Sequence, residues 1–316
     1  MQTRRLGQSA LSAPPIIFGG NVFGWTADRA TSFRLLDALV DAGLTAIDTA
    51  DVYSAWAPGH AGGESETVIG EWLRARPGMR ARVTLMTKVG MEIPGQGVGL
   101  SAAWIARAAE ASLRRLGTDV IDLYYAHKDD ETAPQEETAR AFAALVAAGK
   151  VRTLGASNFS AARLESALAT SAALGLPRYE VMQPHYNLME RGIEAALLPA
   201  CVRHGLSVAP YFALAAGFLT GKYRSEADLG KSVRGARYTC KYLTPKGLAV
   251  LAALDQVAAQ TGATPGQVAI AWLLARAGIT AVLASATSLE QLGELVPAAT
   301  LVLDDAAMEM LNEASK

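Results

Sequence analysis

Short apolar runs alternate with amphipathic stretches along nearly the whole chain. A short apolar run leading into a segment with apolar positions three and four apart reads as a strand feeding a helix. On that basis Ile16–Phe18 is the first strand and residues 29–42 the first helix. The second strand ends at Asp48 and leads to a helix over 64–76. The third ends near Lys88, and its helix over 102–116 stops at Gly117, a residue suited to a left-handed C-cap. The fourth ends at His127, and Pro134 opens a helix that closes at Gly149. Val151–Gly155, Tyr179–Gln183, Leu206–Pro210 and Thr280–Ala284 complete a set of eight strands. Helices over 161–174 and Ile193–His204 separate the middle ones, and a long glycine-containing connection follows the seventh. The pattern predicts an α/β fold with a parallel sheet, a single (β/α)8 barrel of the TIM type spanning residues 1–316.

Three pieces exceed a plain barrel. Arg4–Ser12, around Gly7-Gln8-Ser9, predicts an N-terminal hairpin that would plug the barrel's bottom. Residues 244–277 hold two helical patterns, the second opened by Thr264 as N-cap and Pro265 at the first helical position. The tail after Asp304 is a further amphipathic helix.

Composition supports a large core: 51% of the 316 residues are hydrophobic and 19% charged. A formal net charge of −1 with no polybasic run speaks against nucleic acid or an acidic membrane as partner. Cys201 and Cys240 stand far apart in no metal or redox spacing, so a reducing cytoplasm is expected. Met1–Gly7 lacks the apolar segment of a secretory signal, and no run approaches a membrane span.

In such a barrel the C-terminal rim carries the chemistry, and Asp48, Lys88 and His127 all stand at strand ends, with Tyr53 in the following loop. An ammonium beside a phenol favours its ionised form, and a carboxylate keeps the ammonium charged. That set can hand a proton to a carbonyl oxygen. Taken singly, Asp48 also suits an N-cap or an ion pair, Tyr53 a packing role and His127 a core position. Lys88 at the end of a buried strand is harder to explain without a charged partner. A metal-dependent hydrolase would need several strand-end ligands, and His127 alone of four histidines has such a place.

The wording of the chain resembles the aldo-keto reductase family: Asp48-Thr49-Ala50-Asp51-Val52-Tyr53, Thr87-Lys88, Asp122 to His127, Lys150 to Phe159, Gln183 with Tyr186-Asn187, and Gly217 to Tyr223. The resemblance runs through nearly the whole chain in order. It implies NADP (with NAD possible) bound across the rim, Tyr53 as general acid, Lys88 lowering its pKa, Asp48 paired with Lys88, and His127 orienting a carbonyl. It also implies that Ser157, Asn158 and Gln183 hold the carboxamide and that Tyr211 stacks on the nicotinamide. The stretch from Leu214 to Lys222, including Gly217 and Leu219, would cross the pyrophosphate, and Ser285, Thr287 and Gln291 would meet the adenosine end. Strand-end capping, rim packing and plain turns account equally for these residues one by one.

Departures from the family pattern are informative. Phe212-Ala213 follows Tyr211 where many relatives carry Ser-Pro; Thr287 stands where an arginine is common, and Leu295 where an asparagine is. A 2′-phosphate without an arginine fork loses a bidentate partner. The remaining basic candidates are Lys222, Arg224, Arg234 and Arg237, and NADH use stays open. The loop Ser54–Gly63 is longer than the simplest family pattern; Phe23, Trp25 and Trp56 could form an aromatic substrate wall or merely cap the barrel mouth, with Asn21 near them. The implied substrate is a small-molecule carbonyl compound or alcohol. Two alternatives accompany this reading: an NAD-dependent alcohol or sugar dehydrogenase, and a cofactor-binding regulatory subunit.

Overall fold

The eight predicted strands form one parallel sheet in the computed structural model of the protein, which describes residues 1–232 and 235–316. After the hairpin β1 (Arg4–Arg5) and β2 (Ser12–Ala13) come β3 (Ile16–Gly19), β4 (Ala46–Asp48), β5 (Thr84–Val89) and β6 (Ile121–Ala126). They are followed by β7 (Val151–Ser157), β8 (Tyr179–Gln183), β9 (Ser207–Val208) and β10 (Val282–Ala284). β1 pairs with β2 in a sheet of their own, each strand from β3 to β9 pairs with its neighbour in sequence, and β10 returns to β3. The ring closes on the β9 side through the Val208–Ile279 bridge and a 2.9 Å bond from the Thr280 amide to the Val208 carbonyl.

Strand alternation sorts the side chains into two cores. Ile17, Ala46, Met86, Leu123, Tyr125, Val181, Ala209 and Leu283 face inward and fill the barrel. Phe18, Ile47, Leu85, Tyr124 and Met182 face outward, into the core shared with the helices. Leu6, fully buried, joins the inner set, so the hairpin does plug the barrel's bottom. Gly155 is required beside this interior: a Cβ there would come 2.4 Å from the Tyr125 ring.

The helices follow the sequence reading with two differences. α1 (Arg29–Asp41), α2 (Glu64–Ala75), α3 (Ala102–Leu116), α4 (Gln135–Ala147) and α5 (Ala161–Ala173) connect the strands. Ser101 caps the start of α3, and Gly117 its end at φ +62°. The predicted helix 193–204 is shorter: α6 is Leu197–Arg203, preceded by a single 3₁₀ turn at Gly192–Glu194. Pro199 explains the break, because its ring would clash with the carbonyl four residues earlier in a continuous helix. α7 (Pro245–Thr261), α8 (Pro265–Ala275) and α10 (Asp305–Ala314) are as predicted, with the Thr264–Gln267 capping box present. An unpredicted α9, Leu289–Ala298, follows β10 and is capped by Ser288. Among the described residues no helix is long and apolar enough to cross a membrane.

Candidate active site

The rim is a continuation of the inward face of the strands. Asp48 lies two residues beyond Ala46, Lys88 two beyond Met86, His127 two beyond Tyr125, and Gln183 two beyond Val181. Period-two alternation therefore points all four into the barrel mouth, above the apolar plug that excludes water from below. Lys88 and Asp48 are both fully buried and paired at 2.5 Å. The Lys88 ammonium also donates to the Thr49 carbonyl at 2.7 Å and to the Tyr53 hydroxyl at 3.1 Å, which uses all three of its protons.

These contacts set the charges. Burial alone would lower the Lys88 pKa, but the Asp48 carboxylate and the Tyr53 oxygen reverse this and hold it above the ordinary lysine value. Burial raises the Asp48 carboxyl, opposed by Lys88 and by a 3.0 Å hydrogen bond from the Gln183 amide. The pair stands as an ion pair, since Asp48 is the one carboxylate bonded to the three-way-bound ammonium. The His127 imidazole is driven well below its usual pKa by burial and then by the Lys88 charge, so it is neutral. Its ring meets Tyr53 edge to face at 5.9 Å.

A hydrogen-bonded chain leads away from the pair along the rim. Ser157 Oγ donates to the Gln183 carbonyl at 2.8 Å, and Asn158 Nδ2 donates to Ser157 Oγ at 3.1 Å and to the His127 carbonyl at 2.8 Å. Tyr211 donates its hydroxyl proton to Asn158 Oδ1 at 2.7 Å. Asn158 sits at φ +55°, a left-handed conformation that asparagine tolerates better than most residues. Behind Tyr211, the His185 ring stacks at 5.2 Å and 12°.

Most of these groups border one cavity of about 990 Å³, whose wall includes Asp48, Tyr53, His127, Ser157, Asn158, Gln183 and Tyr211, with Lys88 and His185 behind it. Leu214, Gly217 and Lys222 follow along it, and Ser285, Thr287 and Gln291 belong to it as well. Asn21, Trp25 and Trp56 line the same cavity; Asn21 Oδ1 accepts from Ser285 Oγ at 2.7 Å, and Trp56 meets Tyr53 at 5.6 Å.

Two of the expected binding residues stand off the cavity wall. Phe23 is fully buried, stacked on Phe18 at 5.4 Å, and belongs to the core instead of the cavity wall. Leu219 is likewise fully buried in the core, because the 3₁₀ segment Ala215–Thr220 turns its side chain inward. Of the other basic residues, Arg224 is engaged by Asp255 through two 2.7 Å bonds and Arg237 lies over Tyr238; neither lines the cavity. Arg234 falls outside the described residues.

Several wall residues escaped the sequence reading. Met91 stands two positions past the end of β5, where the rim rule that flagged Lys88 could have found it. Thr264, Gly266 and Gln267 were legible as a helix start, but their place on the cavity is not a local property. The Phe212 departure is visible in the backbone: φ is +54°, and the ring is turned out onto the wall, 39% exposed.

The chain has relatives among known proteins. The model of the Aldo/keto reductase family matches residues 15–316. The chain is 34% identical to the uncharacterized oxidoreductase YrpG of Bacillus subtilis, over 99% of this chain and 95% of that protein. It is 33% identical to L-glyceraldehyde 3-phosphate reductase of Escherichia coli, over 94% of this chain and 87% of that one. It is also 32% identical to a probable voltage-gated potassium channel subunit beta of Arabidopsis thaliana, over 96% and 92% respectively.

Proposed function

We propose, from the premise that this chain belongs to the aldo/keto reductase family, that it reduces an aldehyde or ketone to the alcohol with Tyr53 as general acid. The observation that carries this is the Lys88 ammonium, backed by Asp48 at 2.5 Å and reaching the Tyr53 oxygen at 3.1 Å. A nicotinamide dinucleotide, held by the cavity residues, would supply the hydride for the carbonyl carbon. Tyr53 gives its hydroxyl proton to the carbonyl oxygen, and Lys88 stabilises the tyrosinate left behind. Neutral His127 donates one N–H to the same oxygen and orients the carbonyl. Reprotonation of Tyr53 from solvent restores the starting state.

A cavity of about 990 Å³ suits such a cofactor plus substrate, being at the upper end of the size of small-molecule sites. Ser157, Asn158 and Gln183 would hold the carboxamide, and Tyr211 would back the ring, itself backed by His185. The segment from Leu214 to Lys222, with Gly217, would follow the pyrophosphate; Ser285, Thr287 and Gln291 would meet the adenosine end. Trp25, Trp56 and Asn21 would face the substrate. We take NADPH as the cofactor, with NADH a second reading that one observation favours. The cationic side chains on the wall, among the described residues, are Lys222 and Lys231, whereas Thr287 offers no charge at the adenosine end. The free thiols Cys201 and Cys240 support a reducing, cytoplasmic setting.

Titration of NADPH and NADH separately, followed by tryptophan fluorescence, tests cofactor binding directly. An aldehyde panel with the tighter cofactor then tests turnover. Tyr53→Phe should lower kcat by about 10²–10⁴-fold while leaving cofactor affinity near wild type. Undiminished activity in that variant would exclude Tyr53 as the acid.

A further inference from the structure

The site includes a segment that the barrel itself does not need. Residues 54–63 leave the rim at Tyr53 and return at Glu64, the first residue of α2. The neck is closed by a 2.8 Å bond from the Gly63 amide to the carbonyl of Tyr53. Within the loop the backbone makes only short turns, Ala57 to Ser54 at 3.0 Å and His60 to Ala57 at 3.1 Å. Such turns fix local shape but not the loop's orientation on the barrel.

The Glu64 carboxylate is the most connected anchor of that orientation, beside a 2.9 Å bond from the Gln96 side-chain amide to the Ala61 carbonyl and a 3.3 Å bond from the Ser54 hydroxyl to the Phe23 carbonyl. The carboxylate accepts from the amides of Ala61 at 2.7 Å, of Gly62 at 3.0 and 3.2 Å, and of Ser54 at 3.3 Å, joining both ends of the loop at one point. Bonds to a carboxylate are stronger than neutral ones, and an acid in the first turn also faces the positive end of the helix. The same residue supports a second segment: Gly24, at φ +69°, passes so close that a Cβ there would come 3.2 Å from the Glu64 Cβ. Gly24 precedes Trp25, and the loop carries Trp56. The two indoles meet edge to face at 5.6 Å and 81°, and Trp56 reaches Tyr53 at 5.6 Å. Both line the cavity.

We propose that Glu64 is a specificity-determining positioning residue, whose carboxylate fixes the Trp25–Trp56 wall beside Tyr53 and so selects large, flat, apolar carbonyl substrates over small ones. The proposal rests on Tyr53 being the acid of a carbonyl reductase. A rigid aromatic wall rewards a flat substrate with stacking and buried area, whereas a small aldehyde gains little from it. A wall released from its anchor loses that difference.

The test compares Glu64→Ala and Glu64→Gln with wild type on 2-naphthaldehyde and propanal. Glu64→Ala should lower kcat/KM for 2-naphthaldehyde by about tenfold, through KM, and leave propanal within about twofold. Glu64→Gln, which keeps the length but not the charge, should fall between. A second readout is the near-ultraviolet circular dichroism of the indole pair, identified by its loss in Trp56→Phe; Glu64→Ala should lose it too. An unchanged ratio of the two substrates with the indole signal intact, or an equal loss on both substrates, overturns the proposal. Should Glu64→Ala fail to fold, Glu64→Gln carries both readouts. If wild type reduces neither these nor any other aldehyde or ketone of a panel, the reductase reading fails, and the dichroism still decides whether Glu64 fixes the wall.

Discussion

Replacing Lys88 by methionine keeps an unbranched side chain of similar length and removes one charge from a fully buried pair. The Asp48 carboxylate would then keep only the 3.0 Å bond from Gln183, and the Thr49 carbonyl would lose its 2.7 Å partner. Removing one member of a buried pair typically costs about 3–5 kcal/mol, because the other charge remains desolvated. At roughly 2.1 cal/mol/K per residue, a chain of 316 residues unfolds with about 0.66 kcal/mol/K, so Tm should fall by about 5–8 °C. The companion change Asp48→Asn neutralises the stranded acid, so the double variant should recover to within about 1 kcal/mol of wild type. Activity should behave differently. Both Lys88→Met and the double variant lose the ammonium at Tyr53, and both should turn over at least about 10²-fold more slowly. Thermal denaturation and steady-state kinetics on the two single variants and the double variant check this. A Lys88→Met protein as stable as wild type, or a double variant with restored turnover, would refute the reasoning.

Three other predictions test the charges and the cofactor. Burial, then the Glu66 charge, raises the Asp51 carboxyl well above 3.8, with Arg115 opposing. A carboxyl with a raised folded-state pKa contributes stability at low pH that is lost as pH rises through that pKa. Asp51→Asn should therefore gain stability over wild type as pH rises above the ordinary carboxylate range, seen as a smaller fall in Tm towards about pH 9. His127 shifts in the other direction: the unfolded chain takes up a proton near 6.5 that the buried ring refuses, so wild type should lose stability as pH falls below that value. The difference in Tm between wild type and His127→Asn should narrow on acidification; a constant difference would mean the folded ring titrates normally. Thr287→Arg should tighten NADP(H) relative to NAD(H) by about tenfold, the effect of one charge-assisted bond to a phosphate, and a constant ratio of Kd values would show the phosphate to be read elsewhere.

The sequence by itself determined the strands, most helices and the four residues of the barrel mouth, because each depends on a pattern readable within a short window. Asp48, Lys88 and His127 are legible since period two carries the inward face of a strand one step past its last core residue. Caps at Ser101, Gly117 and Thr264 are legible because the chemistry that satisfies a helix end is local. Where a local signal is interrupted, legibility stops: Leu289, Leu292 and Leu295 have helical spacing, but Gly293 and Pro297 obscure α9, which is held by burial of Leu292, Leu295 and Ala298. The tertiary structure alone decided which aromatic faces the cavity. Phe23 and Trp25 lie two positions apart in one loop, yet one stacks in the core on Phe18 and the other meets Trp56. It alone joined the Glu64 carboxylate to the Ser54 amide and brought Gly24 against the same residue. The approach of Gly24 to Glu64 joins segments distant in sequence, and the Ser54 bond, though nearer, depends on how the loop folds back, which no residue pattern within the loop specifies.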